Sequence, residues 1–324
     1  MIHRISVCLA VLFILLSGVK ATAYSEKERF KTPVFEDTVA ESFSYAIKGS
    51  DTLYIDLYTP TGDSYDSRPL ILFVHGGGFS SGSRASSEIV NFAQKLSRYG
   101  YAVGSMSYRL LRKDEPTGFG CDCPASEKIE TFAAAVEDIN DALLYLYSRA
   151  SDLRLNLEQV ILAGSSAGAE AILMMAYGDF LSVEQKQPFK IAGLIGMAGA
   201  IIDLQQITTS TAVPTLMFHG TCDNLVPFAS ASHHHCAPNK PGHLLLHGSL
   251  SISNRLADLG TPHWLHTTCS GGHELAGTPL TQYFDTITEF CYQYVLKKEG
   301  EIRHTLITGD DASCEFGRFS FCNP

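Results

Sequence analysis

The feature of this sequence that most constrains its fold is the alternation of short apolar runs with segments of helical periodicity. Apolar runs predict strands at 70–74, 101–107, 159–163, 191–197, 215–218 and 264–268, and the alternating pattern at 52–58 predicts a half-buried strand. Apolar residues at helical spacing predict helices at 87–99, 127–149 and 251–259, and another beginning at 167. Such alternation indicates βαβ crossovers. We therefore expect an α/β fold with a mostly parallel central sheet and helices on both faces.

The N-terminal segment has the composition of a secretory signal. His3 and Arg4 precede an apolar run at 5–16, and small residues follow up to an A-x-A sequence at 21–23. The apolar run is shorter than the roughly 20 residues that a membrane-spanning helix needs. We expect residues 1–23 to be a signal peptide and residues 24–324 to form one domain, because no repeat or linker divides them. The protein would then be secreted or periplasmic.

The cysteines fit export to an oxidising compartment. Of nine cysteines, one lies in the leader, and the even set that is left suggests disulfides. We expect at least two bonds. Cys314 and Cys322 bracket a short loop and are one candidate pair, and Cys222 is expected to bond to Cys236 or Cys269.

The charge of the chain bears on its partners. A formal net charge of −10 argues against nucleic acid or an anionic membrane, both of which require a basic surface. A small-molecule or polymer substrate fits better, and no segment after the leader is expected to span a membrane. The sequence leaves the oligomeric state open.

The pentapeptide GSSAG at 164–168 lies between a predicted strand and a predicted helix. This is the context of a nucleophile elbow, a tight turn that lifts a serine out on a strained backbone. A plain Gly/Ser turn is the alternative for an isolated motif. The strand-turn-helix setting favours Ser166 as the nucleophile, whereas Ser165 occupies the intervening position and should point elsewhere.

A triple glycine at 76–78 follows the predicted strand at 70–74. Without side chains in the way, backbone N–H groups there can point at a developing oxyanion. A phosphate-binding loop is the alternative, but neither G-x-G-x-x-G nor a Walker lysine is present. We expect Gly77, Gly78 and Ala167 to supply the donors, and His75 to brace the loop.

The acid and the base are expected after later strands. Asp223 follows the strand at 215–218, and His273 lies in a glycine turn after the last predicted strand. Sites in parallel sheets gather at the carboxyl ends of strands, and the order serine, acid, histidine is that of one hydrolase fold. Asp203 is the reserve acid.

No cofactor or metal is expected. The consecutive histidines at 233–235 cannot easily all bind one ion, and Cys121-Asp122-Cys123 lacks a second cysteine pair. We interpret the histidines as part of a loop insertion at 228–250, irregular in structure and near the mouth of the site. The segment at 198–213 is too short to hold a helical lid.

Taken together, these motifs resemble those of the α/β-hydrolase superfamily, and within it those of carboxylesterases and hormone-sensitive-lipase-like esterases. The matching sequences are HGGG at 75–78, GSSAG at 164–168, HGTCDNLVP at 219–227 and GGH at 271–273, with YRL at 108–110 and Asp138. The resemblance spans roughly 52–294. It implies an α/β-hydrolase fold and ester hydrolysis through an acyl-enzyme, with Ser166, His273 and Asp223 as the triad.

Two positions depart from the hormone-sensitive-lipase pattern. Ser165 stands where those relatives usually carry an acidic residue, and Ala169 stands where they often carry a glycine. Polysaccharide-directed feruloyl and acetyl esterases of similar architecture are therefore an open alternative, and short-chain or carbohydrate-linked esters are the expected substrates. A serine peptidase of the same fold and a non-catalytic hydrolase-like binding protein are the alternatives.

Overall fold

The computed structural model describes residues 28–181, 189–309 and 319–322. The expected signal peptide at 1–23 and Cys314 lie outside these residues. The α-helices are α1 (Ser87–Ser97), α2 (Ala125–Ser148), α3 (Ala150–Leu153), α4 (Ala167–Tyr177), α5 (Ser249–Asp258) and α6 (Phe284–Phe290). Within the described ranges, no helix combines the length and apolar character needed to cross a membrane.

The strands number twelve in the part of the chain that the structure describes. They are β1 (Thr38–Lys48), β2 (Asp51–Pro60), β3 (Arg68–Val74), β4 (Ala102–Met106), β5 (Leu155–Ser165), β6 (Ile191–Met197), β7 (Ala200–Ile201), β8 (Thr215–Gly220), β9 (Ser230–Ser232), β10 (Leu245–Gly248), β11 (His263–Cys269) and β12 (Ile302–Thr308). Nine of these form one sheet in the order β1-β2-β4-β3-β5-β6-β8-β11-β12. The β1–β2 and β2–β4 pairs are antiparallel and the remaining pairs of this sheet are parallel. The predicted mostly parallel sheet is confirmed.

The central strands are buried on both faces. Along β3, Leu70, Leu72 and Val74 enter one core cluster, whereas Ile71 and Phe73 enter another on the opposite face. Helices α2, α4 and α5 contribute to the first cluster, and α1 and α6 to the second. Successive side chains of a strand point to opposite faces, so an apolar run without alternation is the pattern of a strand covered on both sides. The predicted helices on both faces are confirmed.

The carboxyl ends of the parallel strands lie level with one another. Val74 of β3 is opposite Gly164 of β5, and Met197 of β6 is opposite Phe218 of β8. The loops that follow β3, β5, β8 and β11 consequently meet at one edge of the sheet. All the predicted site residues lie in these loops or at the start of the helix that follows β5.

The prediction of an irregular insertion at 228–250 is wrong in part. Strands β9 and β10 in this segment pair with each other, and β10 also pairs with β7 in a small antiparallel sheet. The histidines form a 3₁₀ turn, His233–His235, in which the His233 side chain is buried. The proline, glycine and histidine content of this segment predicts an irregular loop. Instead, the segment forms strands because β10 pairs with β7, a short strand within 198–213. Edge strands β1 and β12 were also not predicted.

The prediction of at least two disulfides is confirmed, but both predicted pairings are wrong. Among the described residues, Cys121 bonds to Cys236 and Cys269 bonds to Cys322. Cys222 is disulfide-bonded, but to neither of its predicted partners. The Cys121–Cys236 bond links two chain segments that the fold brings together. A backbone hydrogen bond also joins them, since the Gly242 N–H donates to the Cys121 carbonyl at 2.9 Å. Sequence spacing contains no sign of that proximity.

Candidate active site

The turn between β5 and α4 places Ser166 on a strained backbone. Its φ is 50° and its ψ is −120°, a conformation that costs a residue with a side chain on the order of 1–3 kcal/mol. Hydrogen bonds hold the turn, since the Ser166 N–H donates to the Met197 carbonyl at 2.8 Å and the Glu170 N–H donates to the Ser166 carbonyl at 2.9 Å. The serine side chain thus stands at the N-terminus of α4.

Close packing explains both flanking glycines of this turn. A Cβ on Gly164 would lie 2.4 Å from the Gly168 carbonyl oxygen, and a Cβ on Gly168 would lie 2.1 Å from the Val74 carbonyl oxygen. Both separations are far inside van der Waals contact. The G-x-S-x-G pattern is therefore a packing requirement of the strand-turn-helix junction.

Ser166, His273 and Asp223 form one continuous hydrogen-bonded chain. The Ser166 Oγ lies 2.8 Å from His273 Nε2, and His273 Nδ1 lies 2.7 Å from Asp223 Oδ2. The carboxylate can only accept, so Nδ1 carries the imidazole proton and Nε2 is left to accept from the serine hydroxyl. These separations fall within the range expected for a nucleophile and its base.

Asp223 is held as a buried anion. Its side chain is fully buried, and Oδ1 accepts hydrogen bonds from the Leu225 and Val226 N–H groups, each at 2.9 Å. Burial alone would raise the pKa of this carboxyl, but hydrogen bonds from His219 and His273 outweigh burial and keep the pKa well below its usual range. Asp223 is thus charged and oriented toward His273.

His219 is a neighbour of Asp223 that the sequence reasoning did not assign to the site. Its Nε2 lies 3.3 Å from Asp223 Oδ2 and 3.1 Å from the Val226 carbonyl oxygen. Its Nδ1 lies 2.8 Å from Ser249 Oγ. Because the Val226 carbonyl can only accept, Nε2 carries a proton and serves Asp223 as a second donor. The only sequence signal for this contact was the position of His219 four residues before Asp223.

The competing candidates have other partners. Ser165 Oγ donates to the Ala276 carbonyl at 2.7 Å, on a different path from that of Ser166. Asp203 is exposed and caps a 3₁₀ turn by accepting from the Gln205 N–H at 2.8 Å. Neither takes part in the chain that joins Ser166, His273 and Asp223.

The glycine loop after β3 lies against the turn that carries Ser166. Gly77 and Gly78 have φ values of 119° and 60°, and both line the same cavity as Ser166 and Ala167. A Cβ on Gly76 would lie 2.9 Å from the Ser165 carbonyl oxygen, so the loop can approach this closely only without side chains. Ala167 is the first residue of α4, where backbone N–H groups have no partner within the helix. The three expected donors therefore surround one space.

His75 supports this loop from behind. Its side chain is buried, and Nδ1 lies 2.8 Å from the Gly76 carbonyl, to which it donates. Burial lowers the pKa of His75 and so favours the neutral ring. The Tyr108 hydroxyl donates to the His75 carbonyl at 2.8 Å. This bracing role agrees with the prediction from sequence.

A cavity of about 520 Å³ opens above Ser166. Apolar side chains from several elements form much of its wall, among them Phe73, Ile89, Phe119, Leu225 and Leu280. Pockets of this size accommodate small organic molecules. The segments 111–126 and 228–250 both reach the cavity, the first through Phe119 and the second through two histidines.

Glu170, His233 and His234 are polar residues of this cavity that the sequence reasoning missed. Burial and the nearby Lys128 lower the pKa of His234 to about 4. His235 turns away, with Nε2 3.1 Å from the Asp223 carbonyl oxygen. Among the described residues, no group of three or more His, Cys, Asp or Glu side chains is arranged to hold a metal ion.

Comparison with known proteins shows a likeness in fold and a partial match to one family model. The BD-FAE family model matches residues 55–212, which contain the glycine loop and Ser166 but not Asp223 or His273. Native Thermogutta terrifontis esterase 2, from a Planctomycetes species, has 17% sequence identity and a TM-score of 0.58, covering 81% of this chain and 93% of that one. The same esterase phosphorylated by paraoxon has 17% identity and a TM-score of 0.58, with coverages of 81% and 95%. The chain therefore shares the α/β-hydrolase fold of these esterases.

Curated sequences give a more distant likeness. The non-reducing polyketide synthase pkbA of Emericella nidulans is 26% identical over 182 residues, which cover 53% of this chain. The non-reducing polyketide synthase nvfA of Aspergillus novofumigatus is 26% identical over 157 residues. The matched region spans only 6% of the length of either synthase.

Proposed function

We propose that this protein is a serine esterase that cleaves carboxylic esters, with Ser166 as nucleophile, His273 as general base and Asp223 as the acid partner. The observation that carries the proposal is the continuous hydrogen-bonded chain from Ser166 Oγ through His273 to Asp223. A chain of this kind activates a hydroxyl that would otherwise be a weak nucleophile. The esterase descriptions of the structural neighbours support the same reaction.

In the first half of the reaction, Ser166 Oγ attacks the carbonyl carbon of the ester while His273 Nε2 takes the hydroxyl proton. The charge on the imidazolium is stabilised by the buried anion of Asp223. The carbonyl oxygen becomes an oxyanion facing the N–H groups of Gly77, Gly78 and Ala167. Loss of one such donor typically costs about 2.7–4 kcal/mol of transition-state stabilisation. As the intermediate collapses, the bond to the alkoxy oxygen breaks and His273 returns its proton to the departing alcohol.

In the second half, water hydrolyses the acyl-enzyme. His273 removes a proton from the water as its oxygen attacks the acyl carbon, and the same donors stabilise the second oxyanion. Collapse expels Ser166 Oγ, which takes the proton back from His273. The products are a carboxylic acid and an alcohol, and no cofactor or metal enters the cycle.

Short-chain or carbohydrate-linked esters, including acetyl and feruloyl esters, are the substrates that we propose. A cavity of about 520 Å³ is large enough for a small ester. Its polar side chains, Glu170, His233 and His234, suit a substrate with hydroxyl groups better than a long alkyl chain. The surface charge of the chain gives no reason to expect nucleic acid as a partner.

We further propose that residues 1–23 direct export and that residues 24–324 form one α/β-hydrolase domain. Disulfides persist in oxidising compartments such as the periplasm or the cell exterior. The bonds Cys121–Cys236 and Cys269–Cys322 support a secreted or periplasmic location on that ground.

A panel of p-nitrophenyl, feruloyl and acetylated-sugar esters tests the proposal. Ser166→Ala should lower the rate of ester hydrolysis by roughly 10³-fold or more, because the nucleophile is lost. Ser165→Ala is the matched control and should retain most activity, because its hydroxyl bonds to Ala276 instead. Native circular dichroism in both variants with Ser165→Ala as the inactive one would refute the assignment. A peptidase of the same fold would instead cleave peptide amides, and a binding protein would cleave nothing.

A further inference from the structure

A buried carboxyl group lies in the cavity beside the proposed nucleophile and takes no part in the proposed triad. Glu170 is on α4, one helical turn after Ser166, and only 2% of its surface is exposed. Its side chain lines the same cavity as Ser166 and His273. The Oε1 atom accepts no well-formed hydrogen bond from the residues that the structure describes, and the His233 Nε2 atom lies 3.4 Å away.

An unpartnered buried carboxyl oxygen is unfavourable in a folded protein. Burial raises the pKa of Glu170 to about 8, in spite of the opposing effect of the Lys128 cation. The group is therefore held without the hydrogen bonds that it would have in water. Atoms of this kind in a native structure call for an explanation, and a ligand that supplies the missing bond is one.

The His233 side chain lies between Glu170 and Lys128. His233 Nε2 lies 3.4 Å from Oε1, and His233 Nδ1 lies 3.2 Å from Lys128 Nζ. Lys128 is fully buried and also donates to the Gly242 carbonyl at 2.9 Å. Lysine can only donate, so His233 Nδ1 accepts and Nε2 carries the proton that faces Glu170. The three side chains come from α2, α4 and the 228–250 insertion.

We propose that Glu170 is a substrate-recognition residue that binds a hydroxyl group of the ester, a proposal that rests on the esterase function above. A hydroxyl both donates and accepts, so it can bond to Oε1 whether Glu170 is protonated or ionised. Asp223 repels an anionic group while Lys128 attracts it, and the reverse holds for a cationic group, so these two opposite charges give no net preference for an ionic group. An apolar group would leave Oε1 unpaired. The substrate class is thus esters that carry a free hydroxyl close to the ester bond.

Pairs of esters that differ only in a terminal hydroxyl group against a terminal methyl group test this substrate class directly. In the alcohol half the pair is 2-hydroxyethyl acetate and propyl acetate, and in the acyl half it is ethyl 3-hydroxypropanoate and ethyl butanoate. The readout is the ratio of kcat/KM within each pair. We expect the wild-type protein to prefer the hydroxylated member of one pair by about tenfold or more, because a site built for a hydroxyl discriminates against its absence. The pair that responds identifies which half of the ester carries the hydroxyl.

Two isosteric variants assign the preference to Glu170. Glu170→Met removes the hydrogen-bonding group and should bring the ratio to about one, whereas Glu170→Gln can still donate and accept and should retain a clear preference. Glu158→Met is the control, because Glu158 is an exposed glutamate on β5, and it should leave the ratio as in the wild type.

A wild-type ratio of about one in both pairs would overturn the proposal without any variant, and so would an unchanged ratio in folded Glu170→Met. Failure to cleave any ester, including p-nitrophenyl acetate, would instead overturn the proposed esterase function.

Discussion

Replacing Glu170 with glutamine should stabilise the folded protein by an amount that grows with pH. Glutamine has the shape of a protonated glutamate but cannot ionise. Burial raises the pKa of Glu170 from a usual 4.5 to about 8. The folded protein therefore keeps the proton on this carboxyl over a pH range in which the unfolded chain has lost it.

The sign and size follow from proton linkage. A raised pKa contributes stability that is fully present below the unfolded value, near pH 4.5, and is lost as pH rises through the folded value. Between these limits the folded state of the wild type loses about 1.4 kcal/mol for each pH unit, and the variant does not. From pH 5.5 to pH 7.5 the advantage of Glu170→Gln should therefore increase by about 2–3 kcal/mol.

Urea unfolding of both proteins at pH 5.5 and pH 7.5 measures this increase. Titration of other groups cancels in the comparison except where they interact with Glu170, as Lys128, His233 and Asp223 do. Glu158→Gln is the control for an exposed glutamate and should give a pH-independent difference. A Glu170→Gln advantage that is the same at both pH values would refute the reasoning, because the carboxyl would then titrate alike in both states.

Three further outcomes follow from the site and the disulfides. Asp223→Asn should lower kcat by about 10²–10⁴-fold in a folded protein, because the carboxylate that fixes the His273 tautomer and stabilises its imidazolium is lost, and loss of activity in Asp203→Asn instead would move the acid. Replacing Cys121 and Cys236 with serine should lower Tm, because this bond joins residues that are 115 apart in sequence. On chain-entropy grounds, closing a loop of that length stabilises the folded protein by about 4–5 kcal/mol. An unchanged Tm would contradict that. Rates on p-nitrophenyl esters should be highest for acyl chains of about C2 to C4, because an incompletely buried longer tail gains little of the roughly 0.8 kcal/mol per buried methylene, whereas a steady rise to long-chain emulsions would indicate a lipase.

Much of the fold could be predicted because local patterns and long-range structure agree in the central sheet. The apolar runs of β3 and β5 are buried on both faces, and Gly164 is required by a contact within its own turn. The order of Ser166, Asp223 and His273 along the chain follows the order of strands whose carboxyl ends meet. Each of these features leaves a mark on neighbouring residues, so one sequence is enough to find it.

The features that were missed depend on contacts between distant segments. Lys128 and His233 are 105 residues apart, and the contacts of His233 with Lys128 and Glu170 exist only because the 228–250 insertion brings His233 to α2 and α4. The Cys121–Cys236 pairing has the same origin. A glutamate or lysine on a predicted helix is expected to face water. Nothing in the local pattern marks these two as buried.

The most direct test of the proposed chemistry is covalent labelling with a fluorophosphonate, read by mass spectrometry of the digested protein. The reagent transfers its phosphonyl group to an activated serine and loses fluoride, so it reports the nucleophile without assuming a substrate. We expect one adduct on the peptide that contains Ser166, no adduct in Ser166→Ala, and slower labelling in Asp223→Asn. An adduct on Ser165, or native protein that is not labelled at all, would contradict the account.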